Sequence, residues 1–322
     1  MKESLILFNT LIKWFFFCNL IKMAADITLT FLGTSDAIPS ASRNHPAMLL
    51  TYQGENILVD CGEGTQRQFR KAKLNPCKVT RILISHWHND HVLGLPGLLS
   101  TLSLTGYNKV LHIYGPKGTK KFIQEMLRAF AFQKNYEIKV EEVSGKFFEG
   151  EDFYLEAKEM THGIPSNAYS FVKGGKLRID KKKLKKSKLP LGPLLQNLKK
   201  GKDITYEGKK FKAKDLTYKE EERKVSFVMD TSYNDKIASF VKGAELLVSE
   251  SSFTSKDADK AKEHNHLTAQ QAGKIAKKGK VGRLILTHMG SRYNKNFKEV
   301  IEDAQKEFKE CSAARDLDVI TL

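Results

Sequence analysis

Hydrophobic and polar positions alternate from Ile27 onward: Ile27, Leu29 and Phe31 are separated by Thr28 and Thr30, and the run stops at Gly33-Thr34-Ser35. That pattern predicts a strand running into a loop. Two further runs, Ala47 to Tyr52 and Asn56 to Val59, are joined by Gln53-Gly54-Glu55 and read as a strand pair, after which Thr65 to Lys73 begins a basic helix. The apolar, β-branched run Arg81 to Ile84 predicts a buried strand, and Leu98, Leu99, Leu102 and Leu104 mark a covered helix behind it. Val110 to Tyr114 and Ile138 to Val143 predict strands with a helix over Thr119 to Phe132 between them. Tyr154 to Met160, Ser226 to Met229, Glu245 to Val248 and Arg283 to Leu286 add four more strands.

Candidate chemistry collects where these strands end. Directly after Ile84 and Ser85 comes His86-Trp87-His88-Asn89-Asp90-His91, which puts four metal-competent side chains into six positions on a strand-to-helix turn. Imidazole and carboxylate are ligands that zinc accepts, and such a set can divide between two metals. Farther on, His162, Asp230 and His288 each follow a short apolar strand. Each alone reads equally well as a satisfied structural residue. Together, in the same relative place as the first cluster, they predict ligands gathered at one edge of a rigid scaffold.

Length and charge narrow the class. A chain of 322 residues can bury one large core or two, and its net charge of +17 points to a polyanionic partner. Cys18, Cys61, Cys77 and Cys311 form no CxxC pair, so neither a disulfide framework nor a thiolate zinc site is indicated, and a cytoplasmic setting is expected. Leu5 to Ile21 is apolar, but Asn9, Lys13 and Asn19 interrupt it. It falls short of the roughly 20 apolar residues of a membrane span, and no small-residue cleavage site follows. Residues 1–22 are therefore read as an extension outside the fold, with 23–322 as the folded domain and a membrane anchor as the alternative.

The sequence resembles a known family. His86 to His91, preceded by Val59-Asp60-Cys61-Gly62-Glu63-Gly64-Thr65-Gln66, is similar to the metallo-β-lactamase fold, an α/β protein built as an αββα sandwich with a two-zinc site. Phe31 to Ser35, Pro39 to Asn44, Ser85 to Leu99, His264 to Ala269 and Leu286 to Tyr293 resemble, more narrowly, the ribonuclease Z family of tRNA 3′-processing endonucleases. The resemblance implies two Zn2+ ions per subunit, with manganese or iron as alternatives: His86, His88 and His162 on one, Asp90, His91 and His288 on the other, and Asp230 bridging. It implies that Asp90 also handles the attacking water and that His266 protonates the leaving 3′-oxygen; a helix-start residue partnered by Thr268 is the plainer reading of His266. Asp60 would fix a ligand histidine from behind. Arg43 and Asn44 would lie in the loop that receives the RNA 3′ end, where the family carries a lysine at the place of Ala41.

The segment from 173 to 224 is the most basic part of the chain, with Lys182, Lys185, Lys186, Lys199 and Lys200 around a Gly192-Pro193 turn. In the resembled family this interval is a protruding flexible arm that grips tRNA. Lysines along a projecting hairpin suit phosphate contacts without base readout. The expected activity is removal of the 3′ trailer from precursor tRNA by a homodimer, leaving a 3′-hydroxyl on the tRNA and a 5′-phosphate on the trailer. The rival readings are a hydrolase of a small phosphodiester or ester on the same fold, and a non-catalytic tRNA-binding protein.

Overall fold

A computed structural model describes residues 27–130, 135–294 and 296–322. The expectations for residues 1–22 and for a helix reaching Phe132 fall outside the described residues. The chain divides into two compact units, one comprising residues up to Glu142 with Thr287–Asn296 and Ala314–Leu322, the other Val143–Leu286 with Phe297–Ala313.

The first unit holds a seven-stranded sheet made of β1 (Thr28–Gly33), β2 (Ala47–Tyr52), β3 (Glu55–Val59), β4 (Arg81–Leu83), β5 (Leu111–Gly115), β6 (Ile138–Glu142) and, antiparallel beside β1, the C-terminal strand Val319–Thr321. Strands β1 to β3 are antiparallel. The β2–β3 turn has positive φ at both Gln53 (46°) and Gly54 (86°), the mirror-image turn whose twist suits a two-residue hairpin. Strands β3 to β6 run parallel, which requires crossovers. The crossovers are α1 (Thr65–Lys71), then the single turn α2 (Asn89–Val92) with α3 (Leu95–Leu104), then α4 (Thr119–Ala129). Phe69 of α1, Leu95, Leu98, Leu99 and Leu102 of α3 and Ile123 of α4 bury against Leu58, Ile82 and Ile113 of the strands and Ile84 just past β4. Each such fully buried side chain contributes about 1.5–3 kcal/mol. This core fixes the end of β4, and so the histidine cluster that follows it.

The second unit holds another seven-stranded sheet, in the order β17-β16-β15-β14-β9-β8-β7. Its strands are β7 (Gly145–Glu149), β8 (Phe153–His162), β9 (Ile164–Lys173), β14 (Arg223–Val228), β15 (Leu246–Glu250), β16 (Arg283–Thr287) and β17 (Cys311–Ala313), with β10 to β13 falling in an insert. The long hairpin β8–β9 turns at Gly163, so His162 is the last residue of its strand. Strand β9 was not legible in the sequence because its polar residues break the apolar pattern; they are buried but bonded, as in Ser170 Oγ to Ser226 Oγ at 2.8 Å.

The basic interval between β9 and β14 is a packed subdomain, where a hairpin was expected. Strand β10 (Leu177–Ile179) pairs with β13 (Thr217–Lys219) at its neck, and β11 (Ile204–Tyr206) pairs with β12 (Lys209–Phe211). Three short helices, α5 (Lys181–Ser187), α6 (Leu195–Lys199) and α7 (Ala213–Leu216), complete it. Leu184, Leu189, Leu198, Ile204, Ala213 and Leu216 bury together as its own core. These apolar residues stand singly among lysines in the sequence, which hides the core they form. Among the described residues the remaining α-helices are α8 (Asp235–Phe240), α9 (Ala258–Glu263), α10 (Ala269–Gly279) and α11 (Phe297–Gln305).

Candidate active site

Five of the predicted ligands lie in the first unit. After β4 the chain runs extended through Ser85 to His88 and then turns into α2, which points Asp90 and His91 inward. The turn is held by close backbone approach. A Cβ at Gly94 would collide with the Gly62 carbonyl oxygen, and one at Gly62 with that of Asp90, so both positions require glycine. Asp60, fully buried, accepts from the Ser85 N–H at 2.7 Å and from Ser85 Oγ at 2.8 Å, and its Oδ2 lies 2.7 Å from His91 Nδ1. A carboxylate there accepts the hydrogen bond of Nδ1–H, keeps the proton on that nitrogen, and leaves the Nε2 lone pair of His91 available. His91 Nε2 is 3.2 Å from Asp90 Oδ2 and 3.2 Å from His288 Nε2, and His288 Nε2 is 3.2 Å from Asp90 Oδ2. His86 Nε2 and His88 Nδ1 face each other at 3.0 Å, with His86 Nδ1 against Ser85 Oγ at 3.0 Å.

This donor set fits a metal. Ligand atoms about 2.0–2.1 Å from a tetrahedral zinc lie about 3.3 Å from one another, and the Asp90, His91 and His288 atoms form a triangle of that edge. Burial pushes the Asp90 carboxyl up, but the His91 and His288 imidazoles more than reverse this and hold it well below the usual carboxylate range.

Strand ends of the second unit carry the other predicted residues. His162 closes β8; its Nδ1 donates to the Asn265 carbonyl at 2.9 Å, which again leaves Nε2 as the available atom, 3.7 Å from Asp230 Oδ2. Asp230 follows β14. His266 Nδ1 lies 3.8 Å from Asp230 Oδ2 and 3.0 Å from Glu250 Oε2. The plainer helix-start reading of His266 does not describe its side chain: Thr268 caps α10 through Gln271 in a reciprocal capping box, while His266 turns to Glu250.

Two residues at this edge were missed by sequence reasoning. Glu250, at the end of β15, is fully buried and holds His266, the Thr231 N–H at 2.8 Å and Ser252 Oγ at 2.7 Å. Its only signal was its place at a strand end, shared with the ligands. Asn265 adopts φ 56°, and its side chain accepts from Ser232 Oγ at 2.8 Å.

The predicted RNA-contacting residues divide into two kinds. Arg43 is 3% exposed; its guanidinium donates to Thr34 Oγ1 at 2.7 Å and to the Thr34 carbonyl at 3.3 Å. Burial lowers its pKa to about 10, with Asp316 opposing the fall. Asn44 donates its N–H to Asp316 at 2.8 Å and its amide to the Glu63 carbonyl at 2.6 Å. Both side chains fasten the loop from Thr34 to Asn44. By contrast Lys182, Lys185, Lys186, Gly192, Pro193, Lys199 and Lys200 are all exposed on the insert.

Comparison with known proteins agrees with the fold. The metallo-β-lactamase fold protein YhfI from Bacillus subtilis superposes with a TM-score of 0.68 at 18% identity, covering 92% of this chain and 100% of that one. This chain therefore has the metallo-β-lactamase fold, with histidine and aspartate side chains at its strand ends. A family model described as Anti-Pycsar protein Apyc1 matches residues 27–171. The ribonuclease Z of Nanoarchaeum equitans is 35% identical over 90% of this chain and 91% of its own length. The crystal structure of human tRNase Z, short form, has a TM-score of 0.67 at 30% identity, covering 91% of this chain and 98% of that one. The chain belongs to the ribonuclease Z family.

Proposed function

We propose that this protein is a zinc-dependent endoribonuclease that removes the 3′ trailer from precursor tRNA. The observation that carries the reading is the buried triangle of Asp90, His91 and His288 donor atoms, backed by Asp60, in a chain of the ribonuclease Z family.

In this reading His86, His88 and His162 would hold one ion and Asp90, His91 and His288 the other, with Asp230 available to both. Bound zinc supplies positive charge to the scissile phosphate and makes water acidic enough to attack it at neutral pH. The protein's own groups do the rest. Asp90, staying ionised, accepts a hydrogen bond from the attacking water and orients it; the water's proton passes to solvent, its oxygen adds to phosphorus, and the P–O3′ bond breaks. His266 gives its proton to the departing 3′-oxygen, so the tRNA ends in a 3′-hydroxyl and the trailer begins with a 5′-phosphate. Glu250, on Nδ1, holds the ring so that Nε2 is the atom presented, and its charge favours the cationic imidazole from which a proton is given.

The lysines of the insert serve as phosphate contacts for the body of the tRNA, and the working form is a homodimer. Among the described residues no helix is long and apolar enough to cross a membrane. Metal analysis of the purified protein together with cleavage of a precursor tRNA by His88→Ala tests the mechanism. Bound zinc in the wild type and loss of cutting in the variant are expected; unaltered cutting by the variant, or a wild type that cuts without metal, would overturn it.

A further inference from the structure

Helix α1 carries a second cationic surface, in the first unit. Arg67, Arg70, Lys71 and Lys73 place four cations in seven positions, and all four are exposed, while Thr65, Gln68 and Phe69 form the buried side of the helix. None of the four lies within 4 Å of a carboxylate among the described residues, and the first turn holds no acid. Two other helices pair lysines with acids of their own: Lys121 with Glu125 at 3.8 Å on α4, and Lys298 with Glu302 at 3.4 Å on α11. Cations in the last turn of α1 complement the helix dipole, but Arg67 in its first turn opposes it. Lys71 acts on the Asp316 carboxylate, and an external anion would compensate the other three.

Beside the C-terminal end of α1 is an open cavity of about 390 Å³, lined by Arg70, Lys73, Leu74, Asn75, Pro76 and Thr105. Two cations on its rim with Leu74 and Pro76 in its wall suit a phosphate joined to a less polar sugar. The helix also points this surface away from the ligand turn. The Cys61 N–H donates to the His91 carbonyl at 2.8 Å and the Gly94 N–H to the Cys61 carbonyl at 2.9 Å, so α1 starts at the turn that carries His91. At 1.5 Å per residue, Lys71 at the end of the helix stands about 9 Å farther along, with Lys73 just beyond it.

We propose that the exposed face of α1 and the cavity at its end bind the sugar–phosphate backbone of RNA seated at the ligand turn, independently of base sequence. This rests on the proposed ribonuclease function and adds a contact surface separate from the basic insert. Backbone binding of this kind releases counterions, so it declares itself in salt dependence.

The test is the affinity of a tRNA transcript lacking a trailer, measured between 50 and 200 mM salt for wild type, for R70Q/K73Q and for K121Q/K298Q, which removes the same charge from acid-paired positions. R70Q/K73Q is expected to bind about tenfold more weakly at the middle of the range, with the slope of log affinity against log salt reduced by about two. The control is expected to stay within twofold, and all three proteins to unfold at the same temperature. Wild-type binding that R70Q/K73Q leaves unchanged, or that the control weakens equally, overturns the α1 surface alone. A wild type that binds no tRNA overturns the ribonuclease reading with it.

Discussion

Glu250 Oε2 lies 3.0 Å from His266 Nδ1, and the carboxylate is held in turn by the Thr231 N–H and the Ser252 hydroxyl. The pair is held in place because Glu250 is fully buried and is bonded by Thr231 and Ser252, which follow β14 and β15. Glu250→Gln keeps the shape and removes the charge that supports a cationic imidazole. Turnover of precursor tRNA by this variant is expected to fall about 10–100-fold, the usual cost of losing such a supporting partner. Single-turnover cleavage rates check this, and a rate equal to wild type contradicts it.

Asn265 combines a left-handed backbone with two bonds, its carbonyl to His162 and its side chain to Ser232. A Cβ-bearing residue without Asn's local hydrogen bonding pays about 1–2 kcal/mol for that conformation, and glycine does not. Asn265→Ala should therefore be less stable than Asn265→Gly by about 1 kcal/mol in urea unfolding. Equal midpoints would show that the turn relaxes and that the carbonyl is not held.

Asp303 accepts from the Ser255 N–H at 2.7 Å, the Gln270 N–H at 3.0 Å, Lys306 at 2.8 Å and the Ser255 hydroxyl. Burial pushes its carboxyl up, but Lys306, Ser255 and Gln270 outweigh that and leave it lowered. A lowered folded value means that Asp303 contributes stability above the ordinary carboxylate range and loses it as pH falls through the folded value. Asp303→Asn should cost about 1–3 kcal/mol at pH 7, and the gap to wild type should close below about pH 4. Denaturant midpoints across that range decide it; a gap constant with pH contradicts the assignment.

What could be read in the sequence was local. Arg81 to His91 announced a buried strand and a ligand turn because apolar periodicity and donor spacing are both short-range. Glu250 and Asn265 could not be found that way, since each matters only through a partner 16 or 103 positions away. Arg43, expected in the loop that receives the RNA 3′ end, has a buried seat on Thr34 that its loop sequence does not announce. The insert's core was hidden because Leu184, Leu198 and Leu216 come from separate short helices.

The neck of that insert is closed by β10 and β13 and by the Glu220 N–H donating to the Lys176 carbonyl at 3.0 Å. Replacing 177–219 with two glycines should leave the sheet of the second unit folded. Cleavage of precursor tRNA should fall at least about 100-fold, in line with loss of several phosphate contacts, while hydrolysis of a small aryl phosphodiester persists. Equal loss of both activities would sink the assignment of the insert as an RNA grip.

The most direct test of the whole account is end mapping of the products from one precursor tRNA transcript, made with zinc-loaded protein and again after chelation. The account predicts one cut at the base of the trailer, a 3′-hydroxyl on the tRNA, a 5′-phosphate on the trailer, and activity that chelation removes and zinc restores. A metal-loaded protein that leaves the transcript intact, or one that leaves a 2′,3′-cyclic phosphate, would contradict it.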